Sequence, residues 1–190
     1  PGLEWALARA HLRRGDLAAA DHHLDAAASG ATEPGLVAGI LVDRSVVRRR
    51  AGDPVGAVAA ARGALQVAER GGQDAAAGAA HRMLGLAAMD AGEPAAAIDE
   101  LRLALAAADT DPDPTARITA LAALAMATGA IGEVDTAVGH GAAAVEACRR
   151  IGDRHLEAAV ENHLADVLHA AGREEDAIDH LRRAVEAFAE

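Results

Sequence analysis

The chain has 190 residues and a net charge of −11, with 18 basic residues against 29 acidic ones. Alanine dominates, lysine and tyrosine are absent, and Trp5 and Phe188 are the only aromatic residues. This excludes an aromatic-rich sandwich or barrel core and favours closely packed helices, because Ala has the best helix propensity and lets helix axes approach. The acidic balance also argues against wholesale nucleic-acid binding, which needs a basic footprint.

One phrase recurs along the chain: Gly, a polar or charged residue, three variable residues, then Ala. It runs Gly15-Asp16 to Ala20, Gly52-Asp53 to Ala57, Gly92-Glu93 to Ala97, Gly132-Glu133 to Ala137 and Gly172-Arg173 to Ala177. The spacing settles at about 40 residues, a period that marks a solenoid whose units must stack to bury their apolar faces. Each phrase sits between two stretches of helical periodicity, so the spacing predicts ten helices. They fall at about 3–14, 17–29, 34–51, 54–70, 73–91, 94–109, 114–130, 134–150, 154–171 and 174–189, with boundaries good to a few residues.

In chain order, Gly52-Asp53-Pro54 reads as a helix stop, an N-cap and a first-turn proline. In the third unit His81, Leu84, Gly85 and Ala88 make one helical stripe, Gly92 ends it, and Pro94 opens a helix with the face Ala97, Ile98, Leu101, Ala104 and Leu105. The strongest break is Asp109-Thr110-Asp111-Pro112-Asp113-Pro114-Thr115, read as a rigid inter-repeat turn with Thr115 as capping residue. The alternative is a domain linker; the turn is preferred because the period passes through it unbroken.

The chain resembles the tetratricopeptide repeat. Unit three carries the pattern in Leu84-Gly85, Gly92-Glu93, Ala97-Ile98, Leu101 and Ala104, and unit five in Leu164-Ala165, Gly172, Ala177-Ile178, Leu181 and Ala184. Unit one follows with Leu7-Ala8, Gly15-Asp16, Ala20, Leu24 and Ala27, and unit four with Leu124-Ala125, Gly132, Ala137-Val138 and Ala144. Unit two departs most, with Arg44-Ser45 at the Leu-Gly/Ala position. The resemblance implies an all-α, right-handed α-solenoid of five antiparallel helix pairs. The whole chain would be one module, with units near 1–34, 38–71, 78–111, 118–151 and 158–190. The period exceeds the family's usual figure of about 34 residues. That long form is similar to repeats in bacterial multidomain regulators and also resembles eukaryotic scaffold and motor light-chain repeats; the Ala-, Gly- and Arg-rich composition reads as that of a GC-rich bacterial genome. The abrupt start and finish suggest a segment of a longer protein.

Catalytic signatures are missing. Without Lys there is no P-loop and no Schiff-base chemistry. Ser29 and Ser45 stand in no activating context. Nine histidines invite a metal site, but His22-His23 splay to different faces, and His163, Asp166 and His169 fall short of a four-ligand set. Cys148 is the single cysteine, has no partner thiol, and fits a reducing, cytoplasmic setting. The acids of Glu174-Glu175-Asp176 open a helix and serve its dipole. No cofactor, metal, membrane span or signal peptide is expected.

In the family fold the first helix of each pair lines a concave groove. The resemblance assigns to it Trp5, Arg9, Leu12 and Arg13, then Val42, Val46, Arg49 and Arg50, then Arg82, Leu86, Met89 and Asp90. Ala122 and Met126 follow, then Asn162, Asp166 and His169. This surface is basic first, apolar with methionines next, and polar last, which suits an extended or helical partner with an acidic end. The sixth positions, Ala6, Asp43, Met83, Ala123 and His163, lack the Lys/Asn clamp of the chaperone-binding subclass. The expected function is a non-catalytic protein–protein interaction or sensor module of a bacterial signalling or transcription regulator, binding a protein or peptide segment or a neighbouring domain. The alternatives are a homo-oligomerisation module and an effector-binding domain attached to an enzyme.

Overall fold

A computed structural model of the chain describes residues 1–189. They form ten α-helices: α1 (Gly2–Arg13), α2 (Leu17–Gly30), α3 (Pro34–Arg50), α4 (Pro54–Gly71), α5 (Asp74–Asp90), α6 (Pro94–Ala108), α7 (Pro114–Ala130), α8 (Val134–Ile151), α9 (Arg154–Ala170) and α10 (Glu174–Ala189). They are grouped in two compact units, the first Pro1–Ala91 and the second from Gly92 onward.

The punctuation in the sequence works as local chemistry. Gly15, Gly52, Gly92, Gly132 and Gly172 all have positive φ, between 73° and 84°, the left-handed turn that only glycine enters without strain. Asp carboxylates then cap the next helix: Asp16 accepts from the Ala19 amide, Asp53 from Gly56 and Asp153 from Leu156, at 3.1, 2.8 and 2.9 Å. Each capped amide is one of the four that a helix start leaves without an internal partner. Pro34, Pro54, Pro94 and Pro114 stand in first turns, where their missing N–H costs nothing.

In the first unit α1 packs on α2, α3 on α4, and α3 also on α1, α2 and α5. Its core is built from Ala8, Ala20, Leu24, Ala27, Ile40 and Val47, and then from Val42, Ala61, Ala64, Ala80 and Met83. Small side chains let α1 and α3 meet closely: the Trp5 ring lies so near Gly39 that a Cβ there would stand 2.6 Å from the ring.

In the second unit α6 packs on α7, α7 on α8 and α9, α8 on α9, and α9 on α10. The segment between α6 and α7 is therefore a turn inside a unit. Its cap is Asp113, which accepts from the Thr115 amide at 2.9 Å, so Thr115, expected as the capping residue, lies within the helix. Aspartate is preferred over threonine in that role, its carboxylate reaching forward to the first-turn amides. Ile118, Leu121, Val145, Cys148 and Val160 form one core cluster, and Gly141 sits against Leu164 with no room for a methyl group. Full burial of a side chain such as Leu164 is worth about 1.5–3 kcal/mol.

Two buried carboxylates are paired across the helices. Glu157 and Glu161 are almost fully buried on α9. Glu157 accepts from Arg149 at 2.7 Å and Arg154 at 2.8 Å, and Glu161 is linked to His180 Nδ1 at 2.6 Å. Burial alone would raise the Glu157 carboxyl, but the two guanidiniums outweigh it and hold it below the usual range. The same device ties α1 to α2, where Glu4 meets His23 Nδ1 at 2.7 Å.

Candidate partner-binding surface

In the first unit α1, α3 and α5 bring four of the expected groove residues to one place. The Trp5 indole N–H donates to Asp43 Oδ2 at 2.7 Å. The Arg9 guanidinium lies 3.9 Å from the same oxygen and 5.7 Å over the Trp5 ring, a cation–π distance. Arg82, half-buried on α5, feels the Asp43 carboxylate as an attraction and the Arg49 guanidinium as a repulsion. Arg49 is bound to Asp90, with Nε 2.5 Å from Oδ2.

The electrostatics follow from burial. Asp43 is held above the ordinary aspartate range by desolvation, against the opposing pulls of the Trp5 hydrogen bond, Arg9 and Arg82. Burial lowers the Arg82 pKa, Arg49 lowers it further, and Asp43 partly restores it. Among the described residues Arg82 makes no ion pair of its own, in contrast to Arg9 and Arg49.

The basic end expected of this surface, Arg9, Arg13, Arg49, Arg50 and Arg82, would be a cluster of mutually repelling charges. The structure corrects this in part, because Asp43 and Asp90 stand among them and Arg50 is turned to the Leu12 carbonyl at 3.1 Å. Asp43 was read only as a position lacking a clamp residue. Its signal was its place on the third helix next to Val42, the residue one repeat after Trp5. Arg13 is exposed at the end of α1. Val46 and Leu86 pack partly buried against the core around Val42 and Met83, so they support this surface more than they present it. Met89 is half-buried on α5. Beside it Arg49, Arg50, Pro54, Ala57, Ala87 and Asp90 line an open cleft of about 400 Å³.

In the second unit the expected residues are more dispersed. Met126 is half-buried on a helix whose other central residues are nearly all buried. Asn162 and Asp166 are exposed one turn apart on α9. His169 is engaged locally, with Nδ1 3.0 Å from Glu174. Among the described residues no three His, Cys, Asp or Glu side chains are grouped to hold a metal ion. The Cys148 thiol is buried and its pKa is pushed up to about 11, first by burial and then by Asp153 and Glu157. It stays protonated, which makes it a poor nucleophile.

Ten helices with an apolar face on each repeat define the class, an all-α helical-repeat solenoid. The tetratricopeptide repeat family model matches residues 116–190. Solved structures extend the likeness over nearly the whole chain. One is the set of nearly identical TPR-like repeats assigned to a kinesin light chain of Podosopora anserina, with 18% identity, 98% of this chain and 93% of that one covered, and a TM-score of 0.67. A second is BtubC (BKLC) from P. vanneervenii, with 18% identity, 96% and 77% covered, and a TM-score of 0.74. A third is a Rap protein complexed with competence and sporulation factor, with 13% identity and a TM-score of 0.87; 98% of this chain and 53% of that one are covered. At these identities the likeness is one of fold. No curated protein sequence matches the chain.

Proposed function

We propose that this chain is a non-catalytic module that binds a protein or peptide segment, and that the surface of α1, α3 and α5 takes an acidic part of that segment. The observation that carries this is Arg82, a half-buried guanidinium beside Asp43 and Arg49 with no ion pair of its own among the described residues. Arg82 shares the Asp43 carboxylate with Arg9 and is repelled by Arg49, so a further carboxylate from outside would add the counter-charge this cluster of guanidiniums can take. The Trp5 ring, under Arg9, supplies apolar contact on the same surface, and Met89, further along α5, adds an adaptable one. The Rap protein of similar fold is complexed with a factor, which supports reading such a fold as one that holds partners.

The wider setting is part of the same proposal: a sensor or interaction module of a bacterial multidomain signalling or transcription regulator, in the cytoplasm. The all-arginine basic residues, the roughly 40-residue period and the single buried cysteine support it. No helix among the described residues is long and apolar enough to cross a membrane.

Trp5 is the sole tryptophan and touches Asp43, so its fluorescence reports on this surface. The test is a titration with arrayed peptides that combine Asp or Glu with Leu or Met, against their Asn and Gln counterparts. Acidic peptides should shift the emission saturably, and Arg82→Gln should weaken them about tenfold, as loss of one charge-assisted contact does. Equal affinity for acidic and neutral peptides would overturn the reading.

A further inference from the structure

The cleft beside Met89 is open for a reason that the repeat register shows. Counted from the turn glycines Gly15, Gly52 and Gly132, the cleft residues Arg49, Pro54 and Ala57 correspond to Leu12, Leu17 and Ala20 in the first repeat. In the fourth repeat they correspond to Gly129, Val134 and Ala137. Ala87, on the helix that follows, corresponds likewise to Val47 and Val167. In both of those repeats the place is filled. Leu12, Leu17, Ala20 and Val47 belong to one core cluster. Val167 lies so close to Gly129 that a Cβ there would stand 2.7 Å from its methyl groups, and Val134 packs against the cluster of Ala165 and Leu168. In the second repeat Ala87 lacks the two methyl groups of those valines, and Arg49 is drawn to Asp90. A space of about 400 Å³ stays open between them.

The lining defines what fits. Pro54, Ala57 and Ala87 are apolar, and a gap beside them forfeits the dispersion contacts that close packing supplies in the other repeats. Asp90 already occupies Arg49, through Nε at 2.5 Å and Nη2 at 3.5 Å. Arg50 donates Nη1 to the Leu12 carbonyl at 3.1 Å and meets no carboxylate among the described residues. Two guanidiniums and one carboxylate leave the lining with one uncompensated positive charge. The volume lies within the range of small-molecule pockets, about 300–1,000 Å³.

We propose that this cleft binds a small free carboxylic acid, a monoanion with an apolar body. Its carboxylate takes the Arg50 guanidinium, and its body lies against Pro54, Ala57 and Ala87, where valine or leucine side chains lie in the other repeats. A phosphate or a dicarboxylate would bring a second negative charge against Asp90, which like-charge repulsion disfavours. The site does not rest on the acidic-partner reading, whose determinants are Arg82 and Asp43.

The test uses 4-phenylbutyrate as the probe on the whole chain labelled with nitrogen-15. Acetate, which lacks the body, and 4-phenylbutanol, which lacks the charge, are the controls. The acid should shift the amide resonances of Gly52, Ala57 and Ala87 saturably, with a Kd on the order of 1 mM, about what a dozen non-hydrogen atoms supply. Both controls should bind at least about tenfold more weakly, and Arg50→Gln should weaken the acid about tenfold. Ala87→Val restores the side chain that closes the place in the other repeats and should abolish binding. Arg50 is exposed and Ala87 half-buried, so both variants should keep wild-type helicity by circular dichroism. Arg82→Gln should leave the affinity for the acid unchanged. No saturable shift of these amides up to about 20 mM acid would overturn the proposal. So would an alcohol that binds as tightly as the acid, or undiminished binding in Ala87→Val. Equal weakening by Arg82→Gln and Arg50→Gln would overturn it by placing the acid on the surface of α1, α3 and α5.

Discussion

Trp5 and Asp43, 38 positions apart, are joined by a 2.7 Å hydrogen bond between indole N–H and carboxylate. This single contact pins α1 to α3 at the point where Gly39 lets the ring approach. It also places a carboxylate between the guanidiniums of Arg9 and Arg82.

Asp43→Ala should therefore unpair the indole N–H and leave Arg9 and Arg82 without their shared counter-charge. The expected cost is about 1–3 kcal/mol, the usual penalty for an orphaned buried donor, read by chemical denaturation. In the native protein the Asp43 carboxyl is raised above its unfolded value of about 3.8. A raised carboxyl pKa means that the folded state holds its proton longer, so this group favours folding most below the unfolded pKa, and that gain is lost as pH rises through the folded pKa. Trp5 emission should titrate with a midpoint above that of a free aspartate, and Asp43→Asn should remove the transition.

Glu157 predicts the opposite sign. Arg149 and Arg154 hold its carboxyl below the normal range in the folded state. Its contribution is present above the unfolded pKa and is lost as pH falls through the folded value. Glu157→Gln should flatten the acid limb of the stability–pH curve. The cost at neutral pH should be about 1–2 kcal/mol, because the two arginines remain partly exposed and can turn to water.

The repeat alanines and glycines set helix separation. Ala137 is fully buried on α8, and Gly141 lies against Leu164. Ala137→Leu and Gly141→Ala should each overpack the second unit and cost about 1–3 kcal/mol. An unchanged melting temperature for either would mean that the helices shift apart freely.

Cys148, with its thiol pushed up to about 11, should resist disulfide reagents at pH 8 in the native state and react rapidly in denaturant. Fast native labelling would show that α8 opens locally.

The repeat register projects Arg9, Arg49 and Arg82 from first-of-pair helices, and the structure has them on α1, α3 and α5. The neutralising roles of Asp43 and Asp90 were not legible in the sequence, since the pairing depends on which rotamers meet across α1, α3 and α5. The sequence reading makes Thr115 the cap of this helix, yet the carboxylate of the preceding Asp113 takes that role by accepting from the Thr115 amide.

The sequence by itself determined the ten helices, their turns and the repeat register. Those depend on local chemistry: a glycine that must enter the left-handed region, an aspartate that caps, and apolar residues at helical spacing. Only the tertiary structure decided which charges are paired and which apolar faces are covered. Leu164 and Leu7 hold the same register position, but one is buried against Gly141 and the other is exposed. Burial is a property of what stands opposite a side chain, and a one-dimensional pattern does not contain its neighbours.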